Sequence, residues 1–298
     1  MLHLIVRSVL LVLVIILVLM LLFYPIFVKP FVRKIFKAPT YEINPDGRII
    51  NDNLVIYKRD GNRKALIIFI GGAFLFNNLQ THYGYANELF ARAKNEYDVI
   101  MFKYPTRYNT TFRDIIRFKL TNTMKDMLLQ INDTLKPYVM NYNTFHAISF
   151  SAGALLAGTF ARKEQDAKYA ETIKVPAIGL RFATLSVYCG LYETVFDSDT
   201  LTKTFAFYMG RNTPGANIYS CYKLDIPKYV VSATNDILYP QTAKYAKLEP
   251  RVTYRIFNKQ KLSHVFPQIV DLEETKLILD ETLKFIRQNE KTRVMIEQ

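Results

Sequence analysis

The sequence predicts an α/β protein with a mostly parallel central sheet flanked by helices, an N-terminal transmembrane helix and a small cap insertion. Residues 1–28 are strongly apolar, residues 54–298 alternate apolar runs with helical segments, and a small-residue turn follows one of these runs. Alternation of strands and helices is typical of a parallel sheet covered on its faces. We therefore divide the chain into an anchor (1–28), a stalk (29–53) and one globular domain (54–298).

The first segment is long enough to cross a bilayer. No charged residue occurs from Ser8 to Val28, and a membrane-spanning helix needs about 20 apolar residues. A cleaved signal peptide would have a shorter apolar core and a small-residue cleavage site, and residues 21–27 offer no such site. We expect a retained single-pass anchor, because every face of this helix would be apolar.

A group of basic residues follows the anchor. They are Lys29, Arg33, Lys34 and Lys37. Each would favour binding to anionic lipid headgroups by about 1 kcal/mol, and their excess on this side predicts a cytosolic domain by the positive-inside rule. Two glycosylation sequons, at Asn109 and Asn132, would instead be usable in a lumen. The sequence leaves the sidedness open.

Apolar runs in the domain predict its strands. They are residues 54–58, as an edge strand, then 65–70, 97–102, 145–150, 176–188, 228–236 and 252–257. Helices are expected near residues 83–94, 112–135, 152–162 and 273–287. The basic turn at 58–64 predicts a solvated hairpin, and the aromatic segment 188–222, which lacks periodicity, is expected to form the cap. Its aromatic rings would either line an acyl or sterol pocket or simply pack together.

The turn after the strand at 145–150 indicates a nucleophile. It reads Ser149-Phe150-Ser151-Ala152-Gly153, which keeps the second glycine of G-x-S-x-G and has another small residue for the first. In that motif the serine lies on a sharp turn between a strand and a helix, with its hydroxyl exposed. Ser151 is therefore the candidate nucleophile.

A glycine pair follows the strand at 65–70. Gly71 and Gly72 would let backbone amides point at a ligand, and with the Ala152 amide they are the predicted oxyanion hole. Such N–H groups stabilise the negative charge that develops on a carbonyl oxygen in the transition state.

Two further residues complete a predicted triad. Asp236 is the last residue of the strand predicted at residues 228–236, and His264 lies in a loop after the last short strand. Of the other three histidines, His3 lies beside the anchor, His82 follows the glycine loop, and His146 lies within a strand, where a core or edge role is expected. The chain order Ser151, Asp236, His264 is the order of the α/β-hydrolases.

These motifs resemble the α/β-hydrolase fold and, within it, hormone-sensitive-lipase-like esterases, including arylacetamide deacetylases and steryl acetyl hydrolases. The segments that carry the resemblance are Gly71-Gly72-Ala73-Phe74, Tyr104-Pro105-Thr106-Arg107, Ser149–Gly153, Asn235-Asp236-Ile237-Leu238 and His264-Val265-Phe266. The resemblance covers roughly residues 54–288. It implies ester hydrolysis and an anchor in the endoplasmic reticulum membrane with a luminal domain.

The chain departs from the family pattern near the predicted site. Ile70 stands where the family has a histidine, so a hydrogen bond that orders the loop is missing. Ala73 replaces a third glycine and is restrictive if its φ is positive. Ser149 and Phe150 replace a glycine and an acidic residue. None of these changes removes a chemical group from the triad.

Composition narrows the function classes. The net charge is +13, but no nucleic-acid-binding motif accompanies it. The two cysteines, Cys189 and Cys221, have neither metal-ligand nor redox spacing, and whether they pair stays open. We expect no metal, no cofactor and no nucleic-acid partner.

The sequence thus predicts a membrane-anchored serine hydrolase that cleaves a lipid, acetyl or steryl ester. One alternative is a catalytically degraded relative that serves as a membrane scaffold or binding protein, and another is a triglyceride lipase. A catalytic site requires His264 within hydrogen-bond reach of both Ser151 and Asp236.

Overall fold

The computed structural model describes residues 39–74, 78–106, 123–193, 221–264 and 266–297. The predicted anchor, the basic group at residues 29–37 and most of the predicted cap lie outside the described residues. Within those ranges, no helix combines the length and the apolar character needed to cross a membrane.

In the described part of the chain, one sheet contains eight strands in the order β1-β2-β4-β3-β5-β6-β7-β8. The strands are β1 (Gly47–Asn51), β2 (Leu54–Tyr57), β3 (Lys64–Phe69), β4 (Asp98–Phe102), β5 (Thr144–Phe150), β6 (Phe182–Tyr188), β7 (Lys228–Ala233) and β8 (Val252–Phe257). β1 and β2 are antiparallel to their neighbours, and the pairs from β4 through β8 are parallel. The predicted mostly parallel sheet is confirmed.

Helices cover this sheet. They are α1 (Gln80–Ala93), α2 (Met124–Leu135), α3 (Ala152–Gln165), α4 (Ala167–Ile173), α5 (Tyr239–Leu248) and α6 (Glu273–Glu297). α3 packs against β5 and β6, and α6 packs against α1 and β6. The inner strands β4 and β7 are buried along their whole length, as expected where helices cover both faces of a parallel sheet.

The edge of the sheet differs from the prediction. β1 lies outside β2, so residues 54–58 do not form the edge strand. All four residues of β2 are buried, whereas four of the five residues of β1 are exposed. β1 therefore has no hydrophobic pattern that could reveal it.

The turn at residues 58–64 does not form the predicted hairpin. β2 pairs with β4, and β3 pairs with β4 and β5, so the strands on either side of this turn are not neighbours. Lys64 forms an ion pair with Glu290 at 2.7 Å, and the Arg59 guanidinium lies 4.2 Å from the Phe90 ring centre. These cations are engaged with the folded domain.

Asn132 does not offer the accessible glycosylation site that its sequon predicts. Its side chain is 4% exposed, and its amide donates to the Pro176 carbonyl at 2.8 Å. The strand predicted at residues 176–188 is shorter in the structure, because β6 begins only at Phe182. The sequon at Asn109 lies outside the described residues.

Of the core and edge roles considered for His146, the structure shows the core role. Its Nδ1 lies 2.9 Å from Thr184 Oγ1 and its Nε2 lies 2.9 Å from Glu290 Oε1. Glu290 belongs to α6, which continues ten residues beyond the predicted end at 287. Burial by itself raises the pKa of Glu290. The hydrogen bonds and charges of His146 and Lys64 outweigh this effect and lower the pKa to about 2. This network attaches the final helix to the sheet.

Candidate active site

Ser151 lies on a strained turn between β5 and α3. Its φ is 49° and its ψ is −120°, in a region that favours glycine, and its amide donates to the Tyr188 carbonyl at 3.0 Å. Such a conformation costs about 1–3 kcal/mol and persists only where the surrounding structure holds it. Strain of this kind is typical of functional sites.

Two glycines allow the turn to form. A Cβ at Gly153 would lie 2.3 Å from the Phe69 carbonyl oxygen and 2.5 Å from that of Ile70. A Cβ at Gly71 would lie 3.3 Å from Ser151 Cβ. The helix that follows Ser151 therefore packs directly on the end of β3, and the glycine loop lies against the serine.

The three predicted triad residues meet at the carboxyl ends of the strands. Ser151 Oγ lies 2.7 Å from His264 Nε2, and His264 Nδ1 lies 2.8 Å from Asp236 Oδ1. Because an ionised carboxylate only accepts hydrogen bonds, Nδ1 carries the proton that points at Asp236. Nε2 then accepts the hydrogen bond of the Ser151 hydroxyl.

Asp236 is buried and hydrogen-bonded beyond the imidazole. Its carboxylate accepts the Leu238 amide at 2.8 Å and the Ser232 hydroxyl at 3.2 Å. Burial by itself raises the pKa of Asp236, but the charge of His264 and the hydrogen bonds from His264, the Cys189 thiol and Leu238 lower it more. The acid is therefore ionised at neutral pH.

Cys189, Asp236 and His264 bring their ligand atoms within 4.8 Å of one another. Burial raises the pKa of the Cys189 thiol well above its usual value, and a protonated thiol is a poor metal ligand. Cys189 and Cys221 are both free and buried. The Cys221 thiol lies 2.9 Å from the Ala154 carbonyl in α3, whereas the Cys189 thiol is hydrogen-bonded to Asp236.

The structure shows a partner for one of the three amides of the predicted oxyanion hole, that of Gly71. The Gly71 amide donates to Nε2 of His82 at 3.2 Å, so this N–H group already has an acceptor, which argues against the predicted role of Gly71 as an oxyanion donor. Gly72, with φ of 142°, and Ala152 stay predictions. Ala152 is the first residue of α3, and the first amides of a helix have no partner within it.

Sequence reasoning missed the side chains that surround the turn. Phe150, which stands where the family has an acidic residue, packs edge-on against His82, Tyr85 and Tyr188, with ring centres 4.9–5.0 Å apart. The only sequence signal for His82 was its position just after the glycine loop.

Ala73, which replaces a third glycine, has a positive φ of 54°, so its backbone conformation is the restrictive one for a residue with a Cβ. Arg107 of the family motif lies outside the described residues.

No protein-family model and no curated protein matches this chain. Solved structures do match. Esterase B from Lactobacillus rhamnosis, in a C6-C4 SN3 inhibited crystal structure, has a TM-score of 0.73 at 16% identity, with 92% of this chain and 97% of that chain covered. The chain has the α/β-hydrolase fold.

Other structures with this α/β-hydrolase fold agree. EstE1, a thermophilic carboxylesterase cloned from a metagenomic library, has a TM-score of 0.60 at 15% identity, covering 86% of this chain and 93% of that one. Fungal esterases from Rhizomucor miehei give a TM-score of 0.56 at 15% identity, with 88% and 89% covered. At these identities the likeness establishes the fold, and the activity has to be argued from the site.

Proposed function

We propose that this protein is a carboxylic ester hydrolase with Ser151 as nucleophile. The observation that carries this proposal is the hydrogen-bonded series Ser151 Oγ–His264 Nε2 at 2.7 Å and His264 Nδ1–Asp236 Oδ1 at 2.8 Å. The same hydroxyl lies on the strained turn that presents a nucleophile in this fold. The structural neighbours are esterases.

The geometry supports a two-step reaction. Ser151 Oγ attacks the ester carbonyl carbon while His264 Nε2 removes its proton, and the ionised Asp236 stabilises the imidazolium that results. His264 then gives this proton to the departing alcohol, which leaves an acyl-enzyme on Ser151. In the second step His264 removes a proton from water and the resulting hydroxide attacks the acyl carbon. The bond from that carbon to Ser151 Oγ breaks, the carboxylic acid leaves, and His264 returns the proton to Ser151 Oγ.

The amides of Gly72 and Ala152 are the proposed donors to the developing oxyanion. Ala152 follows the nucleophile directly, as one donor does in this fold, and Gly72 follows the amide that His82 holds. Loss of one such donor typically costs about 3 kcal/mol of transition-state stabilisation. The two glycine-loop residues thus have separate roles, one in holding the loop and one in binding charge.

For the substrate, we propose a lipophilic or acetylated ester, as in the arylacetamide deacetylase and steryl acetyl hydrolase group. One crystal structure of esterase B contains a tributyrin phosphonate, which is a glycerol-ester analogue. The apolar segment at residues 1–28 would hold the enzyme at a bilayer, proposed to be that of the endoplasmic reticulum, where such substrates dissolve. The basic residues beside it would contact anionic headgroups.

A fluorophosphonate probe tests the proposal directly. The membrane-extracted full chain should be labelled at Ser151 and should hydrolyse p-nitrophenyl acetate and butyrate, and Ser151→Ala should lose both properties. Loss of the nucleophile typically lowers kcat by about 10⁶-fold. A folded wild type that neither labels nor hydrolyses any ester would instead support the membrane scaffold.

A further inference from the structure

His82 is a buried histidine that the triad does not use. It is the third residue of α1 and is 1% exposed. Its Nε2 lies 3.2 Å from the Gly71 amide, whose N–H can only donate. His82 Nε2 is therefore the acceptor, and the ring contacts the backbone of the predicted oxyanion loop.

The other side of the ring determines its tautomer. Thr81 Oγ1 donates its hydroxyl proton to the Asn78 carbonyl at 2.9 Å. The oxygen of Thr81 must then accept from His82 Nδ1, which lies 2.9 Å away. The proton is on Nδ1, and the lone pair of Nε2 faces Gly71.

The surroundings of His82 keep it neutral. Burial lowers the pKa of His82 to about 4, and the Phe150 ring packs edge-on at 4.9 Å. A carboxylate at position 150 would favour the imidazolium, which has no lone pair to accept the Gly71 N–H. Phenylalanine before the nucleophile is thus compatible with a histidine acceptor on α1.

Gly71 lies between this histidine and the nucleophile. A Cβ at Gly71 would approach the Phe150 carbonyl oxygen to 3.2 Å and Ser151 Cβ to 3.3 Å. The loop has no spare room on that side, and the hydrogen bond to His82 fixes the direction of its first peptide group. The next amide in the chain is that of Gly72.

We propose that His82 is a positioning residue, which holds the glycine loop so that the Gly72 amide points at the oxyanion formed above Ser151. It supplies from α1 a loop-ordering hydrogen bond that Ile70 has no side-chain group to make. This inference rests on the proposed ester hydrolysis. A residue that only fills the core would contribute to stability and leave the balance between kcat and KM unchanged.

Three variants separate positioning from packing. His82→Gln places an amide oxygen near the position of Nε2, His82→Asn places one near Nδ1, and His82→Leu has no acceptor. Because a misplaced oxyanion donor typically lowers kcat about 100-fold or more, we expect that loss in the leucine and asparagine variants with KM nearly unchanged. The kcat of His82→Gln should be about tenfold higher than that of His82→Leu, because its amide oxygen restores part of the effect of one oxyanion donor.

A matched control is the other buried histidine, His146, which lies in β5 and binds Thr184 and Glu290. His146→Leu should lower the melting temperature and leave kcat near the wild-type value. If His82→Leu folds and keeps the wild-type kcat, or if His146→Leu loses as much, the positioning role is wrong. An inactive wild type would instead overturn the proposed function itself.

The tautomer gives a test that needs no variant. With ¹⁵N-labelled histidine, only four imidazoles contribute signals. The His82 ring should stay neutral with its proton on Nδ1 from pH 7 to about pH 5, since its pKa is about 4. A His82 ring protonated on Nε2, or one that titrates near pH 6.5, would contradict the proposal even if every variant unfolds.

Discussion

Gly153 lies so close to Phe69 that a Cβ on the glycine would be 2.3 Å from the Phe69 carbonyl oxygen. This contact joins the first turn of α3 to the end of β3. It places the serine turn beside the loop that begins at Gly71. The second glycine of the motif is therefore required by the backbone of a neighbouring strand.

Gly153→Ala should strongly destabilise the domain. The carbonyl groups that a Cβ would meet belong to the central sheet and cannot move aside as a flexible side chain would. We expect the free energy of unfolding to fall by about 3 kcal/mol or more, measured by urea denaturation. Gly61→Ala is the control, because a Cβ there meets no atom within 4 Å and only its φ of 76° is unfavourable. Equal losses in both variants would contradict the close contact.

Asp236→Asn should retain the fold and lose most of the proposed esterase activity. The amide would place a donor against His264 Nδ1 and favour the wrong tautomer, a change that lowers kcat by about 10⁴-fold in serine proteases. The comparison is Ser232→Ala, which removes a neutral hydrogen bond of 3.2 Å to the same carboxylate. Steady-state kinetics on a short-chain ester should give a much smaller loss for that variant. Similar losses would mean that general disruption of the loop, not the tautomer, explains the effect.

Stability should fall with acid because of His82. Its pKa is about 4 in the folded chain against a usual 6.5, so between these pH values the unfolded chain binds a proton that the folded chain does not. Each pH unit in this window removes about 1.4 kcal/mol, and the whole window removes about 3 kcal/mol. Urea denaturation of wild type and His82→Gln from pH 7 to pH 4 should therefore converge or cross as the pH falls. Parallel stability curves would show that His82 titrates normally.

The two cysteines should be unreactive in the folded protein. Both are buried and free, and burial raises the pKa of each thiol well above its usual value, so little thiolate is present. A thiol-specific reagent should label neither cysteine in the native chain and both after unfolding in urea without a reductant. One rapidly labelled native thiol would contradict the burial of that side chain, and no labelling after unfolding would indicate a disulfide.

Local chemistry made much of the site predictable. Ser151 was recognised from the small residues around it, and Asp236 and His264 from their places after strands in the chain order of the fold. Parallel strands end at one edge of the sheet, so residues that follow β5, β7 and β8 meet there whatever the details of packing. The inner strands were predictable from their apolar runs, because a strand that is buried on both faces needs apolar residues along its length.

Tertiary structure decided which groups are already engaged. The Gly71 amide faces a histidine, Asn132 is turned inward to Pro176, and β1 pairs outside β2. None of these follows from spacing along the chain, since each depends on how a helix or strand lies against another. The sequence by itself determined the class of fold and the chain order of the proposed triad. The distances that leave Gly72 and Ala152 as the proposed oxyanion donors arise only when α1, β3 and α3 pack together.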